Sequence, residues 1–217
     1  MIAELSESSD NPDASRGPEI PHPPLWPLIV YKELAEEVVE RYGITNGLCM
    51  DIGSGVGMLG IELAIKTKLE VLLIDAERNV LEKGLKNAEY LKVKNRVMAV
   101  QADAHSLPFR QNSFNLVVSR GAIPFFKNVT EVLREVFRVL TMGGIAFVGG
   151  GFPQRLPKKT WEEFESKRKQ FFNSPEGKRY LPLEKWKMEE WVREARISGF
   201  KIIRSELGRW IEIVKSV

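Results

Sequence analysis

Apolar positions along this chain switch between two spacings. Residues 27–42 (PLIVYKELAEEVVERY) put Leu34, Val38 and Val39 on one helical face, and Gly43 supplies a stop. Residues 48–52 (LCMDI) follow as a short run, apolar but for Asp51, that reads as a buried strand leading into a turn. A glycine-rich turn comes next, then helical spacing over 58–66 (MLGIELAIK). The alternation recurs. Residues 70–75 (EVLLID) predict a second strand, and 79–91 a helix with Val80, Leu81, Leu85, Ala88 and Leu91 inward. Residues 96–103 (RVMAVQAD) and 114–119 (FNLVVS) predict strands three and four. Over 128–140, Asn128 stands as an N-cap with Glu131 at the third helical position, and Val132, Leu133, Val136, Phe137 and Leu140 form a stripe. Gly143-Gly144 reads as the stop of that helix, and 145–149 as a fifth strand.

Unbroken apolar strands alternating with helices predict the α/β class: a parallel sheet covered on both faces. The end of the chain differs. After a helix over 188–198, residues 200–207 and 209–215 alternate apolar and polar around Gly208, which predicts an antiparallel hairpin at the sheet edge.

Composition narrows the setting. The 217 residues suit one domain, expected over 25–217, preceded by a flexible, acidic, proline-rich tail over 1–24 that lacks the apolar stretch of a secretory signal. His22, inside that tail, is expected to be solvated. A net charge of +3 does not argue for nucleic acid. The lone Cys49 cannot close an intrachain disulfide, sits in an apolar run as a core thiol, and points to a cytoplasmic protein. No apolar run approaches the ~18 residues of a membrane span.

The candidate chemistry lies in residues 51–60 (DIGSGVGMLG). Gly53, Gly55 and Gly57 make G-x-G-x-G; Gly55, Gly57 and Gly60 make the dinucleotide fingerprint G-x-G-x-x-G. Either turn, between a strand and a helix, brings backbone close to a ligand at the carboxyl end of a sheet. Asp75 ends the second predicted strand, where an acid takes both ribose hydroxyls of an adenosine ligand. Three features separate the readings. Asp51 precedes the first glycine, where a pyrophosphate gains nothing from a carboxylate but a positively charged amino acid end does. Asp103 ends the third predicted strand, where it can accept from an adenine amino group while the Ala104 amide donates to the ring. The closing hairpin leaves no room for a second dinucleotide half. The rival nicotinamide reading loses on all three, and Gly60 becomes a packing glycine on the helix.

These residues carry a resemblance. DIGSGVG (51–57), LLID (72–75), QADAHSLPF (101–109), FNLVVS (114–119) and LREVFRVLTMGGIAFV (133–148) resemble, in order and spacing, the class I S-adenosylmethionine-dependent methyltransferases of the small-molecule type. The resemblance implies a Rossmann-like, doubly wound, seven-stranded, mostly parallel sheet in three α/β/α layers, of order 3-2-1-4-5-7-6. It implies S-adenosylmethionine as cofactor: Asp51 and Gly53, Ser54, Gly55 and Gly57 around the methionine part, Asp75 and Ala76 at the ribose, Asp103, Ala104 and His105 at the adenine. Ser119, Arg120 and Gly121 would close over the methionine end. Trp26 and Tyr31, in or before a helix that closes over the pocket in this family, and Phe125 and Phe126 are candidates for the acceptor pocket.

The acceptor is not named by any motif. The fourth strand ends in Ser119-Arg120 rather than an acid, so a metal-assisted catechol-type site is not expected. The (Asp/Asn)-Pro-Pro-aromatic motif is missing, with only a displaced echo in Ile123-Pro124-Phe125-Phe126. His105 is the candidate general base and equally a candidate cofactor contact; no catalytic residue is assigned beyond it. Arg120 suits either an acidic acceptor or a helix carboxylate. Residues 152–187 interrupt the domain pattern as a cap-like insertion, with Trp161, Phe164, Phe171 and Phe172 as an aromatic inner face, or as a plain amphipathic surface helix. From Arg155 to Lys187 there are ten basic and five acidic residues, and the interleaved glutamates argue against a nucleic-acid partner. The expected function is methyl transfer to a small-molecule acceptor; the alternatives are an RNA or protein methyltransferase and a non-catalytic cofactor-binding protein. Nothing here sets an oligomeric state.

Overall fold

The computed structural model describes residues 20–216 except 23, 25, 176, 180–186, 206 and 207, and within α5 and its surroundings it leaves some side chains out. Most of the expected tail therefore lies outside the described residues, as do the side chains of Phe164 and Phe172 and residues 180–186 of the insertion. Seven strands form one sheet: β1 (Leu48–Ile52), β2 (Glu70–Asp75), β3 (Val97–Gln101), β4 (Phe114–Arg120), β5 (Leu140–Gly151), β6 (Phe200–Ser205) and β7 (Gly208–Val214). Their order is β3-β2-β1-β4-β5-β7-β6, with β1 to β5 parallel and β7 antiparallel to both neighbours. The helices are α1 (Leu28–Tyr42), α2 (Met58–Lys66), α3 (Arg78–Tyr90), α4 (Val129–Val139), α5 (Lys158–Asn173) and α6 (Met188–Glu194).

Side chains alternate across a strand, so each central strand feeds two cores. Cys49, Leu73 and Val118 point to one face, under Leu34 and Val38 of α1 and Leu63 of α2. Met50, Ile74 and Val117 point to the other, against Leu133 and Val136 of α4 and Val192 of α6. The chain winds outward from β1 to β3, then returns to lay β4 beside β1. That reversal brings the end of β4 next to the glycine turn after β1, the place where such sheets bind ligands.

Several boundaries move from expectation. β3 stops at Gln101, because Gln101 pairs with Asp75, the last residue of β2, and no ladder partner remains for Asp103. α4 ends at Val139, where Leu140 turns extended (ψ 139°) and starts β5. Gly143 and Gly144 are therefore not the helix stop. They lie within β5, bonded to Lys215 by Gly143 N–H (2.7 Å) and by Gly144 O (3.0 Å). α6 closes at Glu194, with Arg196 at φ 58° behind it. Gly208 is the first residue of β7; residues 206 and 207 lie outside the described residues. On α3, Leu81 and Ala88 are buried while Val80, Leu85 and Leu91 are only half-buried; Gly84 and Asn87 take the remaining inward places. His22 is half-buried rather than solvated: its backbone N–H donates to Asn87 Oδ1 (3.0 Å), and Asn87 Nδ2 donates back to His22 O (2.8 Å).

Candidate functional site

The glycine turn is built from backbone. Gly53, Gly55 and Gly57 all have left-handed φ (63°, 53° and 78°), a conformation that costs other residues about 1–2 kcal/mol. Ser54 N–H donates to Ile74 O (3.0 Å) and Gly57 N–H to Ser54 O (2.9 Å), which pins the turn to β2 before α2 begins. Gly60 serves packing: a Cβ there would lie 2.8 Å from Val71 Cγ1 and 2.9 Å from Leu73 Cδ2, so its absence lets α2 sit on the sheet.

Two carboxylates brace this turn. Asp75 Oδ2 accepts Gly55 N–H (2.9 Å) and Oδ1 accepts Glu77 N–H (3.0 Å). Each oxygen keeps a lone pair for a further donor. Asp51 is 2% exposed, and its Oδ2 accepts Gly60 N–H (2.9 Å) from the first turn of α2. Burial raises its carboxyl to about 7; the Gly60 bond opposes that rise and the Asp75 charge adds to it.

The third corner holds Asp103, Ala104 and His105. Asp103 Oδ1 accepts both His105 N–H (2.9 Å) and His105 Nδ1 (2.5 Å), and these bonds hold its carboxyl below the usual range. His105 Nε2 accepts Asn128 N–H (3.1 Å), so both ring nitrogens are engaged. At the end of β4, Ser119 is buried with its hydroxyl donating to Ile52 O (2.7 Å), and Gly121 N–H donates to Gly149 O (2.7 Å). The segment after β4 closes on the glycine turn: a Cβ on Gly53 would stand 2.4 Å from Ala122 Cβ and 3.8 Å from Phe126 Cζ.

Arg120 turns the other way. Its Nε donates to Gly151 O (3.0 Å), Nη1 to Tyr31 Oη (3.4 Å), and the guanidinium lies 4.9 Å over the Tyr31 ring and 5.5 Å over Phe152. Trp26 meets Phe152 edge-on at 4.9 Å and Phe171 at 5.7 Å; Trp161 meets Phe152 at 5.5 Å. Trp26 and Tyr31 thus come together with Arg120 as an aromatic cluster above β4 and β5. Phe126 joins the glycine-turn side instead, and Phe125 is 61% exposed. A cleft of about 380 Å³ is lined by Phe126, Lys127, Thr130 and Trp191 of α6 and by no residue of the glycine turn. The hub of the cluster, Phe152, was not among the sequence candidates; its signal was an aromatic directly after three glycines. Asn128, which holds His105, signals only a helix cap by its sequence context.

The donor set fits the implied cofactor on its own geometry. Ser54 Oγ is the one buried side-chain polar atom without a hydrogen bond among the described residues, and a Cβ at Gly55 would meet only open space. A polar group brought close to that backbone would satisfy the hydroxyl.

Comparison with known proteins agrees. A family described as a methyltransferase domain matches residues 46–196. A solved Methanococcus maripaludis protein, assigned to the S-adenosyl-L-methionine-dependent methyltransferases, is 32% identical with a TM-score of 0.78, covering 87% of this chain and 86% of that one. The ubiquinone/menaquinone biosynthesis C-methyltransferase UbiE of Blochmanniella floridana is 32% identical over 110 residues, 49% of this chain and 43% of its own length. The erythromycin 3''-O-methyltransferase of Saccharopolyspora erythraea is 25% identical over 172 residues, 78% of this chain and 56% of its own. The chain spans about half the length of these curated relatives. With sheet order, glycine turn and relatives in accord, the chain belongs to the S-adenosylmethionine-dependent methyltransferase family.

Proposed function

We propose that this protein transfers a methyl group from S-adenosylmethionine to a small-molecule acceptor in the cytoplasm. The observation that carries the reading is the glycine turn held between Asp51 and Asp75, with Ser54 Oγ buried and unsatisfied beside it. In this reading Gly53 to Gly57 wrap the methionine part, and Asp51 faces its ammonium. Asp75 takes the ribose hydroxyls with Ala76 beside it. Asp103 accepts from the adenine amino group and the Ala104 amide donates to the ring. Ser119 and Gly121 form the wall at the methionine end. The cofactor supplies an activated methyl on a positively charged sulfur. The chain supplies orientation: nucleophile, methyl carbon and sulfur must stand in line, about 3–3.5 Å between reacting atoms.

The acceptor site is the aromatic cluster of Trp26, Tyr31, Phe152 and Trp161 around Arg120, with residues 152–173 as the cap. Its flat faces suit a ring-bearing, largely apolar molecule. Two relatives are named for ubiquinone/menaquinone biosynthesis and for erythromycin, which supports a small acceptor over a macromolecule. His105 has no ring nitrogen left to take a proton from an acceptor, which favours a positioning role over that of a base. The cytoplasmic setting rests on the lone buried Cys49. Among the described residues no helix is long and apolar enough to cross a membrane.

Calorimetric titration with S-adenosylhomocysteine tests the reading on wild type and Asp75→Ala. Micromolar binding that collapses in the variant is the expected result. No binding by the wild type overturns the cofactor assignment for this chain.

A further inference from the structure

His105 bridges two loops that lie 23 residues apart in sequence at their contact. Its backbone N–H and Nδ1 both bond Asp103 Oδ1, and its Nε2 accepts from Asn128 N–H. A backbone N–H can only donate, so Nε2 carries the lone pair and Nδ1 the proton: the network selects the neutral Nδ1–H tautomer. The side chain is 19% exposed and stands edge-on to Phe126 at 6.2 Å, so the ring has little freedom to swing.

Each end of this bridge has a consequence. Asp103 is 70% exposed, and an exposed carboxylate on a loop ordinarily samples several rotamers. Here Oδ1 is fixed twice, while Oδ2 accepts no hydrogen bond among the described residues and is left for an incoming donor. At the other end, Asn128 closes the segment 121–128. That segment sets Ala122 against Gly53 and Phe126 against His105, and its last residue caps α4 through Glu131 N–H (3.3 Å). The imidazole thus joins the acid on the adenine side to the segment on the methionine side.

We infer that His105 is a positioning residue, a clip that presents Asp103 Oδ2 to the cofactor and couples its occupation to the order of the 121–128 segment. This rests on the reading of Asp103 as a cofactor contact. The clip has two halves that substitution separates. An Asn side chain reaches only as far as Nδ1 and preserves the Asp103 half; a Gln side chain reaches as far as Nε2 and preserves the Asn128 half.

The experiment uses the full chain, with S-adenosylhomocysteine as probe. Affinity is read by calorimetry, and protection of the 121–128 amides by hydrogen exchange with and without ligand. Thermal melts accompany each variant. In the wild type, ligand increases protection of 121–128. His105→Ala loses roughly tenfold in affinity and loses that response. His105→Asn keeps affinity within about threefold but leaves 121–128 exchanging fast, and His105→Gln keeps basal protection while losing affinity. Affinity and protection unchanged in His105→Ala overturn the inference. So do equal losses in all three variants alongside lowered melting temperatures, which assign the ring to the fold alone. A wild type that binds ligand with no change in 121–128 overturns the coupling only. A wild type that binds no ligand overturns the cofactor reading together with the coupling.

Discussion

The carboxyl edge of the sheet carries two kinds of construction. Over β1 to β3 the groups that face the site are anchored by backbone: Gly55 N–H on Asp75, Gly60 N–H on Asp51, Ser54 N–H on Ile74 O. Over β4 and β5 they are side chains packed on one another, Arg120 across Tyr31 and Phe152, Trp26 edge-on to Phe152 and Phe171. A backbone anchor leaves no freedom for a different shape, which suits a part of the site that always meets the same ligand. A cluster of rings can exchange one member for another at modest cost, which under the proposed reading suits the part that meets the acceptor.

The largest expected effect breaks the backbone-anchored half. Gly53 has φ 63°, and a Cβ there would stand 2.4 Å from Ala122 Cβ, an atom with no side-chain freedom to retreat. Gly53→Ala pays about 1–2 kcal/mol of left-handed strain and must also push the 121–128 segment outward. Affinity for S-adenosylhomocysteine should fall roughly a hundredfold, about 2.8 kcal/mol. Calorimetry checks this, and an unchanged affinity would mean the turn does not wrap the ligand.

The same division explains what could be read in the residues beforehand. Glycines at 53, 55 and 57 announce left-handed backbone by their identity, and Asp51 precedes them on the same strand; both signals are local, whereas Asp75 reaches the turn only through the pairing of β1 with β2. The sheet order followed from the resemblance and not from periodicity, since apolar runs do not say which strand lies beside which. Nothing in the pattern of residues 96–103 marks where β2 stops offering partners, so the end of β3 at Gln101 is not legible in it. Phe152 joins Trp26, and Asn87 joins His22 across 65 residues, through contacts that no spacing rule reaches. His105 invites a catalytic reading by its type alone. Only the fold shows that Asn128 occupies its second nitrogen.

The next effect tests the side-chain half. Phe152 is 6% exposed and meets Trp26, Trp161 and the Arg120 guanidinium. Phe152→Ala should destabilise the protein by about 3 kcal/mol. A denaturant midpoint measures the loss, and amide exchange over 158–173 should rise with it. Affinity for S-adenosylhomocysteine should stay within about threefold, because none of the backbone anchors runs through this ring. A matching collapse of ligand binding would show that the two halves are one structure after all.

The smallest effect is a pH dependence that belongs to Asp51. Burial holds its carboxyl at about 7 in the folded chain, against an ordinary 3.8. Between these values the folded state binds the proton more tightly than the unfolded state. The contribution of Asp51 to stability is therefore fully present below pH 3.8 and is lost as pH rises through about 7. In Asp51→Asn the Gly60 N–H keeps an acceptor and the titrating group is gone, so melts between pH 5 and 8, about the span of that titration, should fall with pH in the wild type relative to the variant. Ligand affinity should run the opposite way. An ammonium beside Asp51 favours the ionised carboxylate, so S-adenosylhomocysteine should bind the wild type more tightly, by about tenfold, at pH 8 than at pH 6. Asp51→Asn should bind more weakly and with a flat profile. If wild-type affinity is as flat as the variant's while the melts still diverge, Asp51 braces α2 without facing the ligand, and the anchored half of the site holds its cofactor through Asp75 and the glycines alone.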